Sequence, residues 1–314
     1  MRRKRPRPPA PLPQRRGIDP VRLRLPVEGA WATVRDHLVE RLPVAAEVVD
    51  GMLRNGEFVR ADGPLAADAP YAPGASVWFH RDFPDEVPVP FAMDVRYRDD
   101  HIVVVDKPHF LATTPRGSHV TETALARLRR DLELPRLSPA HRLDRLTAGL
   151  VLFCVRAEER GAYQTLFRDR QVRKEYEAVA PYRHGLGLPR TVRSRIEKVP
   201  GIVAAFETPG EPNSETLVEL AEHRDGLGRY RLTPHTGRTH QLRVHMNTLG
   251  IPLLGDPFHP VVTDPAPDDF RRPLQLLSRL LEFTDPVTGA RHRFESGRTL
   301  QAWTAYQEWA SGNE

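Results

Sequence analysis

Seven consecutive residues, GLVLFCV at 149–155, carry no charge and no hydrogen-bonding side chain beyond one thiol. A run this short is a strand rather than a helix, and a strand apolar on both sides must be covered on both faces. The chain must therefore build a layered domain around an internal sheet. At 314 residues it has the length for one large domain and a small companion. Directly before the run stands HRLDRLTA, where Asp144 is the single carboxylate between Arg142 and Arg145. An acid at the end of a buried strand costs free energy unless paired or solvated. The local sequence by itself favours a plain ion pair, with retention for chemistry as the other possibility.

The rest of the chain falls into three parts. Residues 1–17 form a basic, Pro-rich tail that cannot bury enough apolar surface to fold alone. Residues 18–90 form a small α/β accessory module with one helical pattern, WATVRDHLVERL, and short strands in NGEFVRADG and YAPGASVWFHRD. Its end, FPDEVPVPF, holds three prolines and reads as a linker. Residues 91–314 form the main domain. Strands are expected in HIVVVDKP, GLVLFCV, KEYEAVAPY, GIVAAFE, ETLVELAEH, GRYRLTPH and LQLLSRLLEF, with helices in TETALARLRRDL, AEERGAYQTLFRD and GRTHQLRVHMNTLG. In KEYEAVAPY, Tyr176, Ala178 and Ala180 share a face. Strands outnumber helices, so the expected class is α+β around a mixed or antiparallel sheet.

Charge is distributed unevenly. The formal net charge is +5; residues 1–16 contribute seven cations and no acid, which leaves the remainder at −2. Such a tail either attracts phosphates through counterion release or serves as a solubilising extension. One cysteine, Cys154, excludes a disulfide framework and suits a reducing cytoplasm. No segment has the apolar length of a membrane span.

Several chemistries fail on motif grounds. Neither GxxxxGK[ST] nor GxGxxG occurs, and the HRLD tetrad lacks the companions of a protein kinase. His235, His240 and His245, if placed on one helix, turn about 140° apart at a spacing of five, so they do not form a metal face. Sugar hydrolysis needs a second facing carboxylate, and none stands out beside Asp144.

Four separated stretches then match one family in order: DDHIVVVDKP, HRLDRLTAGLVLF, RKEYEAV and PHTGRTHQLRVHMNTLGIPLLGD. Together the sequence from about 95 to 290 resembles the RluA-like pseudouridine synthases. The resemblance implies isomerisation of uridine in RNA, exchanging the bond from ribose C1′ to uracil N1 for one to C5. It implies no cofactor and no metal. By position, Asp144 is the catalytic carboxylate, acting either as nucleophile toward C1′ or as base at C2′. Arg243 is its cationic partner and Tyr176 the active-site tyrosine that stacks on the base. His141 orients the catalytic loop.

Because the target uridine must leave its stack, cations are needed near the cleft. Arg142, Arg145 and Arg238 are candidates, as is the run Arg190, Arg193 and Arg195. Residues 18–90 weakly resemble the RNA-binding module named after ribosomal small-subunit protein four. Leu146, Ala148, Phe110 and Leu277 depart from the family pattern at loops expected to meet RNA, so substrate identity does not transfer. The expected partner is structured ribosomal or transfer RNA, bound by a cytoplasmic monomer. A non-catalytic RNA-binding protein on the same scaffold is the alternative, and a DNA glycosylase fits the bond but not the motifs.

Overall fold

The computed structural model describes residues 10–312, and the first nine residues of the basic tail lie outside the described residues. The chain divides between Asp85 and Glu86 into two compact units, inside the Pro-rich segment expected as a linker.

The first unit contains β1 (Val21–Arg24), α1 (Val34–Arg41), α2 (Ala46–Arg54), β2 (Val59–Arg60), β3 (Gly63–Pro64) and β4 (Ser76–Phe79). The strands form an antiparallel sheet in the order β1-β4-β2-β3. Thr33 starts α1 with a reciprocal cap: its hydroxyl accepts from the Asp36 amide, and its own amide donates to the Asp36 carboxylate at 3.0 Å. Val34 and Leu38 then bury against Val49 and Leu53 of α2 and against Phe58, Val77 and Phe79. Helix α2 corrects the expectation of a single helix in this region. Its sequence, AEVVDGMLR, mixes two valines and a glycine into the pattern, which lowers intrinsic helix preference; packing of Val49 and Leu53 overrides it.

The second unit holds β5 (Asp94–Arg98), β6 (Ile102–Lys107), α3 (Ala124–Asp131), β7 (Ser138–Pro139), β8 (Ala148–Cys154), α4 (Arg160–Arg168), β9 (Arg173–Pro181) and β10 (Arg190–Glu197). It continues with β11 (Phe206–Thr208), β12 (Ser214–Arg224), β13 (Leu227–Pro234), α5 (Gln241–Thr248), β14 (Leu276–Thr284), β15 (Arg291–Glu295), α6 (Gln301–Thr304) and α7 (Tyr306–Ser311). An 11-stranded sheet runs β11-β10-β12-β13-β9-β14-β8-β6-β5, with β15 on β14 and β7 on β8. Every pairing is antiparallel except β8 with β14, so the mixed α+β sheet is the observed one.

Strands β6 and β8 are buried along their whole length. Val103, Val105, Val151 and Phe153 face one core with α3 and α5, while Ile102, Val104, Leu150 and Leu152 face another with Tyr163 and Leu166 of α4. Each such side chain contributes about 1.5–3 kcal/mol by leaving water. The parallel step is close: at Gly149, φ is +107°, and a Cβ there would lie 2.3 Å from the Ser278 carbonyl oxygen. Only glycine fits. This contact fixes the start of β8, and so the loop carrying Asp144, against β14.

Two expectations are corrected here. GIVAAFE yields only the short β11, because Ile202 and Val203 are exposed in the preceding loop. Strand β10, RTVRSRIE, was not anticipated: Val192, Ser194 and Ile196 face inward between arginines, an alternation with too few apolar residues to stand out.

Candidate active site

Asp144 lies in the loop 140–147 between β7 and β8. That loop is held at several points. The Thr113 hydroxyl donates to the Leu143 carbonyl at 2.7 Å and accepts from its amide at 3.1 Å. The wholly buried Lys107 reaches the carbonyls of Pro108 and Leu111 at 3.0 and 2.8 Å, and that of Arg145 at 3.4 Å. His109 Nδ1 lies 2.7 Å from the Leu146 carbonyl. His141 stacks on Phe167 and accepts the Leu152 amide on Nε2 at 3.1 Å. Burial pushes His141 down to about 3, which favours the neutral ring. Burial likewise lowers Lys107 to about 7, with the Asp144 charge pulling the other way.

The loop opens into a cleft of about 850 Å³. Its lining contains Asp144 as the only carboxylate, against Arg116, Arg142, Arg145, Arg168, Arg170, Lys174, Arg238 and Arg243. The Asp144 side chain is about a third exposed, at 37%. A cleft with this balance suits a polyanion whose reacting centre meets one acid.

Tyr176, on β9, lines the cleft beside Leu276. Burial, with the Asp144 charge adding to it, pushes its phenol up to about 12, so the ring stays neutral. Arg142 is exposed at the cleft edge, and Arg145 is half-buried. Arg238 sits before α5, not on it: its amide donates to the Gln241 side chain at 3.0 Å and its Nε to the Asn213 carbonyl at 3.2 Å. Arg190, Arg193 and Arg195 lie on β10 outside this cleft; Arg193 pairs with Glu215 and Arg195 with Glu197.

The expected pairing of Arg243 with Asp144 is corrected. Arg243, 1% exposed on α5, forks onto Asp256, with Nε 2.9 Å from Oδ2 and a second contact from Nη2 to Oδ1. Its guanidinium also lies 4.5 Å over the Phe258 ring. Burial would raise Asp256, but hydrogen bonds from Arg243, His259 and the Phe258 amide hold it well below the usual carboxylate range. Asp256 stands 13 residues from Arg243, and nothing in the linear sequence marks it as the better-placed partner.

Within 4 Å of the Asp144 carboxylate, the basic side chain found among the described residues is His240, with Nε2 3.9 Å from Oδ2. His240 precedes α5 with φ 56°. Sequence reasoning put it with His245 in the helix GRTHQLRVHMNTLG, but α5 begins at Gln241 and only His245 lies on it. Among the described residues no group of His, Cys, Asp or Glu could hold a metal.

The sequence model of the RNA pseudouridylate synthase family matches residues 101–248. The chain is 33% identical over 203 residues to the dual-specificity RNA pseudouridine synthase RluA of Pasteurella multocida, covering 62% of this chain and 89% of that protein. To the protein of the same name from Escherichia coli K12 it is 32% identical over 212 residues, covering 64% and 91%. Among solved structures, human RNA pseudouridylate synthase domain containing 1 shares the fold, with a TM-score of 0.53 and 23% identity over 66% of this chain and 84% of that one.

Proposed function

The chain belongs to the RluA-like RNA pseudouridine synthases, and from that premise we propose that Asp144 is the carboxylate through which it isomerises uridine in RNA. The carrying observation is the charge arrangement of the cleft, one acid among eight cations. Uracil departs from C1′ with the bonding pair as a delocalised anion, turns within the pocket, and bonds to C1′ through C5, which then loses its proton to solvent while N1 takes one up. Strong acid assistance to the leaving group is dispensable, and a second carboxylate would repel the RNA backbone. Both roles open to Asp144, nucleophile at C1′ or base at C2′, act through its carboxylate oxygens.

The target base must be flipped out of its stack to reach Asp144. In this reading Tyr176 presents a neutral ring against the flipped base. Arg142, Arg145 and Arg238 engage flanking phosphates, contacts that position the strand without reading its sequence. Arg243 acts through Asp256, bracing the floor of the cleft. The substrate in this reading is structured ribosomal or transfer RNA, met in the cytoplasm, and the relatives are named as dual-specificity RNA pseudouridine synthases.

The test is Asp144→Asn. We expect turnover to vanish while RNA affinity stays within about tenfold of wild type, about 1.4 kcal/mol. Retained turnover would remove Asp144 from the reaction, and a wild type that binds RNA without modifying it would favour a pure binding protein.

A further inference from the structure

His240 is the histidine that the fold turns toward Asp144, and three features of its setting point to one role. The Ala205 amide donates to Nδ1 at 3.2 Å. That bond assigns the tautomer, because a ring nitrogen that accepts carries no proton, so the hydrogen of the neutral ring is on Nε2. Nε2 is the atom that faces Asp144 Oδ2 at 3.9 Å. The ring is also nine-tenths buried, at 9% exposure, and its backbone occupies the left-handed region at φ 56° and ψ 17°, where residues other than glycine are uncommon and histidine is among the better tolerated. Such conformations persist where the surroundings enforce them, often at functional sites.

The groups around the ring agree. Arg243 approaches from α5, Asp256 and His259 from the loop after it, and Asp144 from the loop before β8; the Phe258 ring centroid is 5.3 Å away. Burial pushes His240 down to about 4, Arg243 and His259 add to this, and Asp144 and Asp256 oppose it. Arg243 is committed to Asp256. That leaves the imidazole as the donor to the reacting carboxylate.

We propose that His240 is a positioning residue for the Asp144 reaction: its Nε2–H holds Asp144 Oδ2 in the RNA complex and turns the other carboxylate oxygen toward the ribose. The gap of 3.9 Å is about 1 Å longer than a hydrogen bond, and a small rotation of the partly exposed carboxylate closes it. An uncharged donor serves this better than a cation, since it orients the carboxylate without forming an ion pair that the substrate must break. The inference rests on the reading of Asp144 given above.

Two substitutions separate this role from simple packing. In His240→Asn, the side-chain oxygen replaces Nδ1 as acceptor for Ala205, and asparagine tolerates the left-handed backbone, but no donor reaches Asp144. In His240→Gln, the amide nitrogen extends to where Nε2 was. We expect the Asn variant to lose at least about tenfold in kcat with KM for RNA little changed, and the Gln variant to recover most of that loss.

A packing or capping role predicts the reverse order, with Asn close to wild type and Gln impaired. Asn near wild type, or slowed chiefly through KM for RNA, overturns the proposal. So does a Gln variant that melts like wild type but is as slow as a destabilised Asn variant. Wild-type and Asp144→Asn controls run alongside: an active Asp144→Asn would sink the reading of Asp144 itself, whereas a normal control with an unaffected His240→Asn would sink only this inference.

Discussion

Replacing Asp256 by Asn tests the account of the cleft floor, because it strands a buried guanidinium. Arg243 and Asp256 are 1% and 0% exposed, so neither charge can recover hydration without local opening. Removing one member of a buried pair costs about 3–5 kcal/mol, mostly from the charge left behind. Asn keeps an oxygen able to accept from the Phe258 amide, which places the expected loss near ~3 kcal/mol. Urea denaturation at pH 7 should show this as a lowered midpoint. The double variant Asp256→Asn/Arg243→Met should regain part of the loss, since no unpaired charge remains. The pH dependence has a definite sign: the folded-state value of Asp256 lies below its ordinary 3.8. Its contribution is therefore complete above that value and disappears as pH falls through the depressed one. The gap between wild type and Asp256→Asn should narrow in strong acid. A loss below about 1 kcal/mol at neutral pH would refute the claim that Arg243 depends on Asp256.

Gly149→Ala should cost more than about 3 kcal/mol, lowering the melting temperature by roughly 6–12 °C, because the new Cβ meets the Ser278 backbone at 2.3 Å; a melting temperature within about 2 °C of wild type would contradict the close β8–β14 contact. His245, wholly buried among Ser194, Ser214 and Thr216, is pushed down to about 4 by burial. The unfolded chain thus binds a proton there that the folded one excludes, so stability is complete above pH 6.5 and falls by about 1.4 kcal/mol per unit toward pH 4. His245→Gln should flatten the acid slope of stability measured by denaturant titration, and an unchanged slope would count against the buried neutral ring.

Where apolar residues ran unbroken or kept a helical spacing, the sequence disclosed its structure. HIVVVDKP and GLVLFCV read as strands and form the buried β6 and β8, and TETALARLRRDL reads as a helix and forms α3, capped by Thr123. Helix α2 and strand β10 escaped because tertiary packing, not local preference, decides AEVVDGMLR and RTVRSRIE. The site was legible to the extent that its residues fall within contiguous motifs: Asp144, Tyr176, Arg243, His141, Arg142, Arg145 and Arg238 all line one cleft. Partner choice was not legible. Whether Arg243 turns to Asp144 or Asp256 depends on how the loop after α5 returns beneath it, and the tautomer of His240 depends on an amide 35 residues earlier. Arg190, Arg193 and Arg195 looked equivalent to the cleft arginines as sequence, but strand β10 carries them elsewhere.

The most direct measurement is tritium release from ribosomal and transfer RNA labelled at uridine C5, with pseudouridine quantified in the same digests, for wild type and Asp144→Asn. Bond exchange at C5 must free one hydrogen for each pseudouridine formed. The account predicts equal release and pseudouridine with wild type and neither with Asp144→Asn. Release in equal yield from both proteins would contradict it by showing that the single carboxylate of the cleft is not the reacting group.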